Sequence, residues 1–269
     1  MDLRKKLFVI AGVYVIEGFP MGIFRDLWPV YFRDHGVSLA VIGAISGLYL
    51  AWSVKLLWSP LIDRFGERRQ WIAGALCAMA ASLLLLPGLD LGEIDRLFWM
   101  VLIFFCVGSA TQDIAIDAYT IGIVEHGEEG PANSVRIIAY RIGLIAAGGG
   151  LLLLPNQIGW TATFGVAAAL MVLMATGVFA CPRVEVPPES RRDVRGAFRS
   201  WQGRGGVVLV LCFVLLYCVG DLGLAPMLRP FWVDRGLSHQ DMALISTTLG
   251  AIATMGGAAV GGWIVSRLA

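Results

Sequence analysis

Eight apolar stretches of about 20 residues each leave this chain few choices of fold. They run approximately over residues 7–32, 39–58, 70–89, 97–118, 134–154, 160–181, 206–232 and 241–265. At about 1.5 Å of rise per residue, a helix of that length covers roughly 30 Å of hydrocarbon. With 57% hydrophobic and only 15% charged residues, the sequence is too apolar for a soluble domain. The expected fold class is an all-α polytopic membrane protein with eight spans.

Basic residues orient those spans. Arg4, Lys5 and Lys6, then Arg64, Arg68 and Arg69, then Arg183, Arg191, Arg192, Arg195, Arg199 and Arg204, and finally Arg267, fall on one side of the bilayer. Only Arg33, Arg96, Arg229 and Arg235 fall on the other. By the excess of Lys and Arg in cytoplasmic loops, the N-terminus and the 182–205 loop are expected in the cytoplasm. The apolar run after Lys6 is too long for a signal peptide and lacks a small-residue cleavage site, so it reads as the first span. Cys77, Cys106, Cys181, Cys212 and Cys218 lie in or at the ends of apolar runs without metal-ligand spacing. They read as buried free thiols, with no metal or cofactor expected.

A repeat organises the chain. YFRDHGVS (31–38) and FWVDRGLS (231–238) match at a spacing of 200 residues, each between the first and second span of its bundle. The expected domains are a six-helix N-terminal bundle over 1–181, a cytoplasmic linker over 182–205, and a partial C-terminal bundle of two helices over 206–269. Parallel six-helix repeats joined by a cytoplasmic loop resemble the major facilitator superfamily. On that resemblance four C-terminal helices are missing, and the chain reads as truncated.

The turn SPLIDRFGERR (59–69) is similar to the superfamily's cytoplasmic signature at Asp63, Arg64, Gly66, Arg68 and Arg69, and departs from it at Ser59 and Glu67. The resemblance implies a conformational switch, in which an acid near a helix end pairs with arginines in one state only. EGFPMGI (17–23), SVKLLWSPLIDR (53–64), SATQDIAIDAY (109–119) and AYRIG (139–143) narrow the likeness to the branch of AmpG-type muropeptide permeases and acetyl-coenzyme A transporters, which includes some siderophore permeases. The implied activity is secondary active transport of a polar or anionic solute such as a muropeptide, coupled to protons, across the bacterial inner membrane. Its partners would be the solute, protons and the lipid bilayer, with no nucleic acid. Alternatives are an acetyl-coenzyme A or siderophore permease of the same branch, or a non-transporting membrane sensor or scaffold. An intramembrane aspartyl protease is disfavoured, because Asp221 follows Cys218, Val219 and Gly220 and so lacks the Gly-x-Gly-Asp motif.

Charges within spans mark the candidate site, since each costs roughly 2.5–3.5 kcal/mol to insert at mid-membrane. Glu17, Arg25 and Asp26 fall in the first span, Lys55 near the end of the second, Asp113 and Asp117 in the fourth, Arg136 and Arg141 in the fifth, and Asp221 in the seventh. Asp113 and Asp117, four residues apart, share one helical face flanked by Gln112. Glu17, Asp113, Asp117 and Asp221 are the candidate proton-coupling acids. Ion pairing of the two aspartates with Arg136, Arg141 or Lys55 is the competing structural reading. Arg141, Tyr140, Gln112 and Lys55 are the candidate solute contacts, with Tyr140 able to stack on a sugar or a base. Gly148–Gly150 read as a close helix contact, and Pro20, Pro29 and Pro226 as kinks.

Overall fold

The computed structural model describes residues 1–184 apart from Glu93 and His126, residues 227–242, and Gly206, Leu209, Cys212, Phe213, Leu244, Leu249, Gly250, Ile252 and Ala253. Of Leu56 and Asp63 it describes the backbone alone. Most of the linker, most of the two C-terminal spans, and with them Asp221 and Pro226, lie outside the described residues.

Six helical segments form the N-terminal bundle. The first is Leu3–Asp34, and the third to sixth are Arg68–Gly88, Arg96–Ile123, Glu129–Leu153 and Pro155–Val178. All five are long and apolar enough to span a bilayer. The second departs from the expected continuous span. Helix Leu39–Val54 tightens into a 3-10 turn at Lys55–Leu57 and restarts as Ser59–Arg64. Pro60 has no N–H for the Leu56 carbonyl four residues back, and just ahead of it the chain closes a shorter ring, Trp58 N–H to Lys55 O at 3.2 Å.

Glycine sets how closely the first and fifth spans pack. A Cβ on Gly18 would overlap the carbonyl oxygen of Tyr140, and one on Gly143 would overlap that of Val15. Gly22, one turn beyond Gly18, meets the Leu144 carbonyl in the same way. Backbones thus touch directly, as they do where small residues face each other in lipid-embedded helices. Gly148 has the role expected of it, lying against the Asp26 carboxylate. It belongs to a π-helical turn, Ala146–Gly150, that packs on a second such turn, Ile23–Leu27. The second turn is closed by Trp28 N–H to Ile23 O. Pro29 cannot donate to the Arg25 carbonyl, so the kink expected at Pro29 takes the form of this wider turn.

Trp28, Phe32, Phe98, Phe105 and Phe164 are fully buried inside the bundle. Phe8 (81% exposed), Leu57 (81%) and Ile121 (78%) face outward. That surface would be a liability in water and suits hydrocarbon. Of the thiols, Cys106 is buried as expected; Cys77 and Cys212 are exposed, Cys181 is half-buried, and Cys218 lies outside the described residues.

The repeat is visible in backbone geometry. Gly36 and Gly236 both take left-handed φ, 78° and 74°. Val37 N–H bonds Phe32 O at 2.9 Å, and Leu237 N–H bonds Trp232 O at 3.1 Å. Ser38 and Ser238 then cap the next helix, accepting from Val41 N–H and Asp241 N–H. The repeated aspartates also reach across to the other half. Asp234 pairs with Arg33 at 2.6 Å, and Asp34 lies 2.8 Å from His239 Nε2. Asp26 receives Arg229 at 2.8 Å. Arg25, the neighbour of Asp26 in the first span, is exposed, and the Asp26 carboxylate pairs instead between the halves.

Candidate functional site

A cavity of 490 Å³ opens between the first, second, fourth and fifth spans. Glu17 and Met21 reach it from the first, Tyr49, Trp52, Ser53 and Lys55 from the second, Ser109 and Asp113 from the fourth, and Arg136, Ile137, Tyr140 and Arg141 from the fifth. The break after Val54 puts Lys55 on this wall, where its ammonium pairs with Asp113. One turn along the fourth span, Asp117 accepts from Tyr14 Oη at 2.9 Å and pairs with Arg136 at 3.0 Å. The Arg136 guanidinium also lies 4.8 Å from the centre of the Tyr14 ring.

The ion pairs foreseen for the fourth-span aspartates are therefore formed, with Lys55 taking Asp113 and Arg136 taking Asp117. Glu17 differs. Each of the three acids offers an oxygen within 4.8 Å of the other two, yet among the described residues Glu17 pairs with no cation, and its Oε2 is buried without a hydrogen-bond partner. Three such carboxylates could in principle hold a metal ion, but two already have an organic cation beside them. Charge pairing accounts for Asp113 and Asp117 and leaves Glu17 outside it. Arg141 is the complement of Glu17: half-buried on the cavity wall, it makes no ion pair among the described residues.

Of the expected solute contacts, Lys55, Tyr140 and Arg141 line this cavity and Gln112 does not. Gln112 is 1% exposed and turns onto the first span, donating from Nε2 to Ile16 O at 3.0 Å. Its place in the site is corrected accordingly: it spaces two helices. Tyr49, Trp52, Ser53 and Ser109 are cavity residues that sequence reasoning missed. The available signal was Tyr49-x-x-Trp52 just before the break at Lys55, a pair that an apolar span otherwise absorbs as lipid-facing.

The described contacts of the signature turn centre on Glu67. The side chain of Asp63 lies outside the described residues. Arg64 is exposed, its guanidinium 5.6 Å from the Phe65 ring centre, and Gly66 takes a left-handed φ of 72°. Glu67, one of the departures from the signature, does the anchoring. It caps the third span reciprocally with Gln70, accepts from Arg69 Nη2 at 2.7 Å, and has Arg183 Nε at 3.4 Å. The bond from Arg69, with Arg183 adding to it, holds the Glu67 carboxyl below its ordinary range. Arg69 also donates to the carbonyls of Phe179 and Cys181, at 3.2 and 2.8 Å, and so ties the third span to the end of the sixth. A similar clasp joins Lys6, 3% exposed, to Glu125 and Glu128 at 2.6 and 2.8 Å. Lys6 holds the Glu128 carboxyl low.

Residues 10–269 match the family model of the Major Facilitator Superfamily. The anhydromuropeptide permease of Escherichia coli K12 is 30% identical over 285 residues, covering 98% of this chain and 56% of that protein. A Rickettsia conorii protein named as an AmpG-type transporter is 28% identical, covering 98% of this chain and 68% of its own length. Among solved structures, an auto-inhibited POT family peptide transporter aligns with a TM-score of 0.54 at 21% identity, over 91% of this chain and 51% of that one. That likeness speaks to the fold alone. The chain thus spans little more than half the length of the permease it matches.

Proposed function

The chain belongs to the major facilitator superfamily, and from that premise we propose that it carries the solute-binding bundle of a secondary transporter for a muropeptide-like solute in a bacterial cell membrane. The N-terminus lies in the cytoplasm on this reading, following the asymmetry of basic residues. The supporting observation is the charge balance of the cavity. Among the described residues, two acids, Glu17 and Asp113, and three bases, Lys55, Arg136 and Arg141, line it, and a third acid, Asp117, pairs with Arg136 beside it. Two of these bases are occupied by acids, which leaves Arg141 as the cation without an ion pair among the described lining residues, able to meet a solute carboxylate. A coenzyme A ester, with several phosphate charges, would need more free bases than the described lining offers. A sugar–peptide bearing few carboxylates needs one.

Glu17 is the proposed proton carrier. It lies beside two acids already neutralised by Lys55 and Arg136 and has no cation of its own among the described residues, so protonation at Glu17 breaks none of the described ion pairs. Protonation of Asp113 or Asp117 would strand a cation. The proton and the solute then share one cavity, so that a single change of access carries both.

Calorimetric titration of the purified chain in lipid nanodiscs tests this reading. An anhydromuropeptide is expected to bind, and Arg141→Ala to weaken it about 10- to 100-fold by removing a charge-assisted contact, about 1.4–2.8 kcal/mol. Arg25→Ala, exposed and outside the cavity, should leave affinity unchanged. Preferential binding of acetyl-coenzyme A or a ferric siderophore, or equal loss in both variants, would overturn it.

A further inference from the structure

The cavity wall contributed by the second span is aromatic, and its arrangement follows from the backbone. At Gly47–Tyr49 the helix tightens to 3-10 geometry before α-helix resumes at Leu50–Val54. In a 3-10 turn, side chains three residues apart eclipse, whereas in an α-helix they are offset. Tyr49 and Trp52 are three apart, and their rings lie stacked, 5.4 Å between centres and 29° between planes. Phe24 of the first span supports both, 5.3 Å from Trp52 and 6.4 Å from Tyr49. Tyr49 and Trp52 remain half-buried and line the same cavity as Arg141.

A braced pair of stacked rings on a polar cavity wall does little for packing that two leucines would not do. Its distinctive property is a flat, polarisable surface. The axial C–H bonds on one face of a pyranose ring pack against such a surface while the equatorial hydroxyls stay free for hydrogen bonds. Ser53, next to Trp52, and Ser109 across the cavity supply hydroxyls on that perimeter.

We propose that Tyr49 and Trp52 form the glycan subsite of the cavity, holding the apolar face of a pyranose ring while Arg141 takes the carboxylate of the attached peptide. This rests on the reading of the cavity as the solute site and adds to it a division of labour. Affinity for the sugar portion resides on the second span, and affinity for the charged portion on the fifth.

The division is testable with three probes, an anhydromuropeptide, its disaccharide alone and its stem peptide alone, titrated into the native chain, Trp52→Ala and Trp52→Phe in nanodiscs. Trp52→Ala is expected to weaken the muropeptide and the disaccharide about tenfold or more and to leave the peptide unchanged; Trp52→Phe, which keeps a ring, should stay within about threefold of native. Equal loss for disaccharide and peptide, or unchanged disaccharide affinity in Trp52→Ala, overturns the glycan subsite while leaving the cavity as the solute site. Failure of the native chain to bind any of the three removes the cavity reading and the subsite together. Retained affinity in Trp52→Phe beside its loss in Trp52→Ala separates the ring's contribution from a general collapse of the second span.

Discussion

Gly18→Leu is expected to abolish recovery of folded protein. Even the first carbon of a side chain at this position would occupy the space of the Tyr140 carbonyl oxygen and crowd Leu144 N. That obstacle is backbone and cannot rotate aside. The first and fifth spans would have to separate by a side-chain layer, opening the cavity wall that Glu17 and Tyr140 share. Overpacking in a close-packed core costs typically about 1–3 kcal/mol and more where nothing can yield, and in lipid no hydrophobic force drives the separated helices back together. Gly12 is on the same helix with open space around its Cβ position. Gly12→Leu therefore serves as the matched control and should express normally. Size-exclusion chromatography of both variants after detergent extraction gives the comparison. A monodisperse Gly18→Leu protein at native yield would show that the two spans are not in direct backbone contact.

Arg69→Ala is expected to destabilise the bundle by about 2–4 kcal/mol, since two carbonyls lose a charged donor, each such bond being worth about 1.5–3 kcal/mol with part of the loss recovered from water. Phe179 and Cys181 lie at the end of the sixth span, so the loss should appear as early unfolding of that end. Arg69→Lys should rescue little. An ammonium is a single point, whereas the guanidinium reaches both carbonyls from one nitrogen and Glu67 from another. Thermal unfolding in detergent reads the stability. The affinity for an anhydromuropeptide serves as the second readout, because a purely structural tie leaves it unaltered. A native melting temperature in Arg69→Ala would contradict the tie; native stability with altered affinity would point back to the switch that the signature turn implies.

Much of this was legible in the sequence because lipid permits few alternatives. Twenty-residue apolar runs in a chain this hydrophobic are helices, and the repeat at 200 residues announced two related halves whose hydrogen bonds at Gly36 and Gly236 turn out alike. The carboxylates of the fourth span were also legible, since their four-residue spacing fixes a shared face. Their partners were not. Spacing along one helix does not say which cation from the second or fifth span arrives opposite, and Lys55 meets Asp113 from the turn where the second span breaks. Gln112 misled for a related reason: a polar residue beside two acids shares their neighbourhood in sequence, but one step along a helix is about 100° of rotation, enough to turn it from the cavity to the first span. Gly18 and Gly143 were hidden among 33 glycines. Only the approach of two backbones distinguishes a glycine that must be small from one that happens to be.

Glu17 is where the proposed proton and solute meet, and one calorimetric experiment addresses both. Titrating an anhydromuropeptide into the purified chain in buffers of different ionisation enthalpy gives the number of protons exchanged per solute bound, as linkage requires of any group whose protonation changes on binding. The native chain is predicted to exchange a proton on binding. Glu17→Gln is predicted to bind the solute and exchange none. Binding by the native chain without proton exchange, or undiminished exchange in Glu17→Gln, would contradict the assignment of the coupling proton to this cavity.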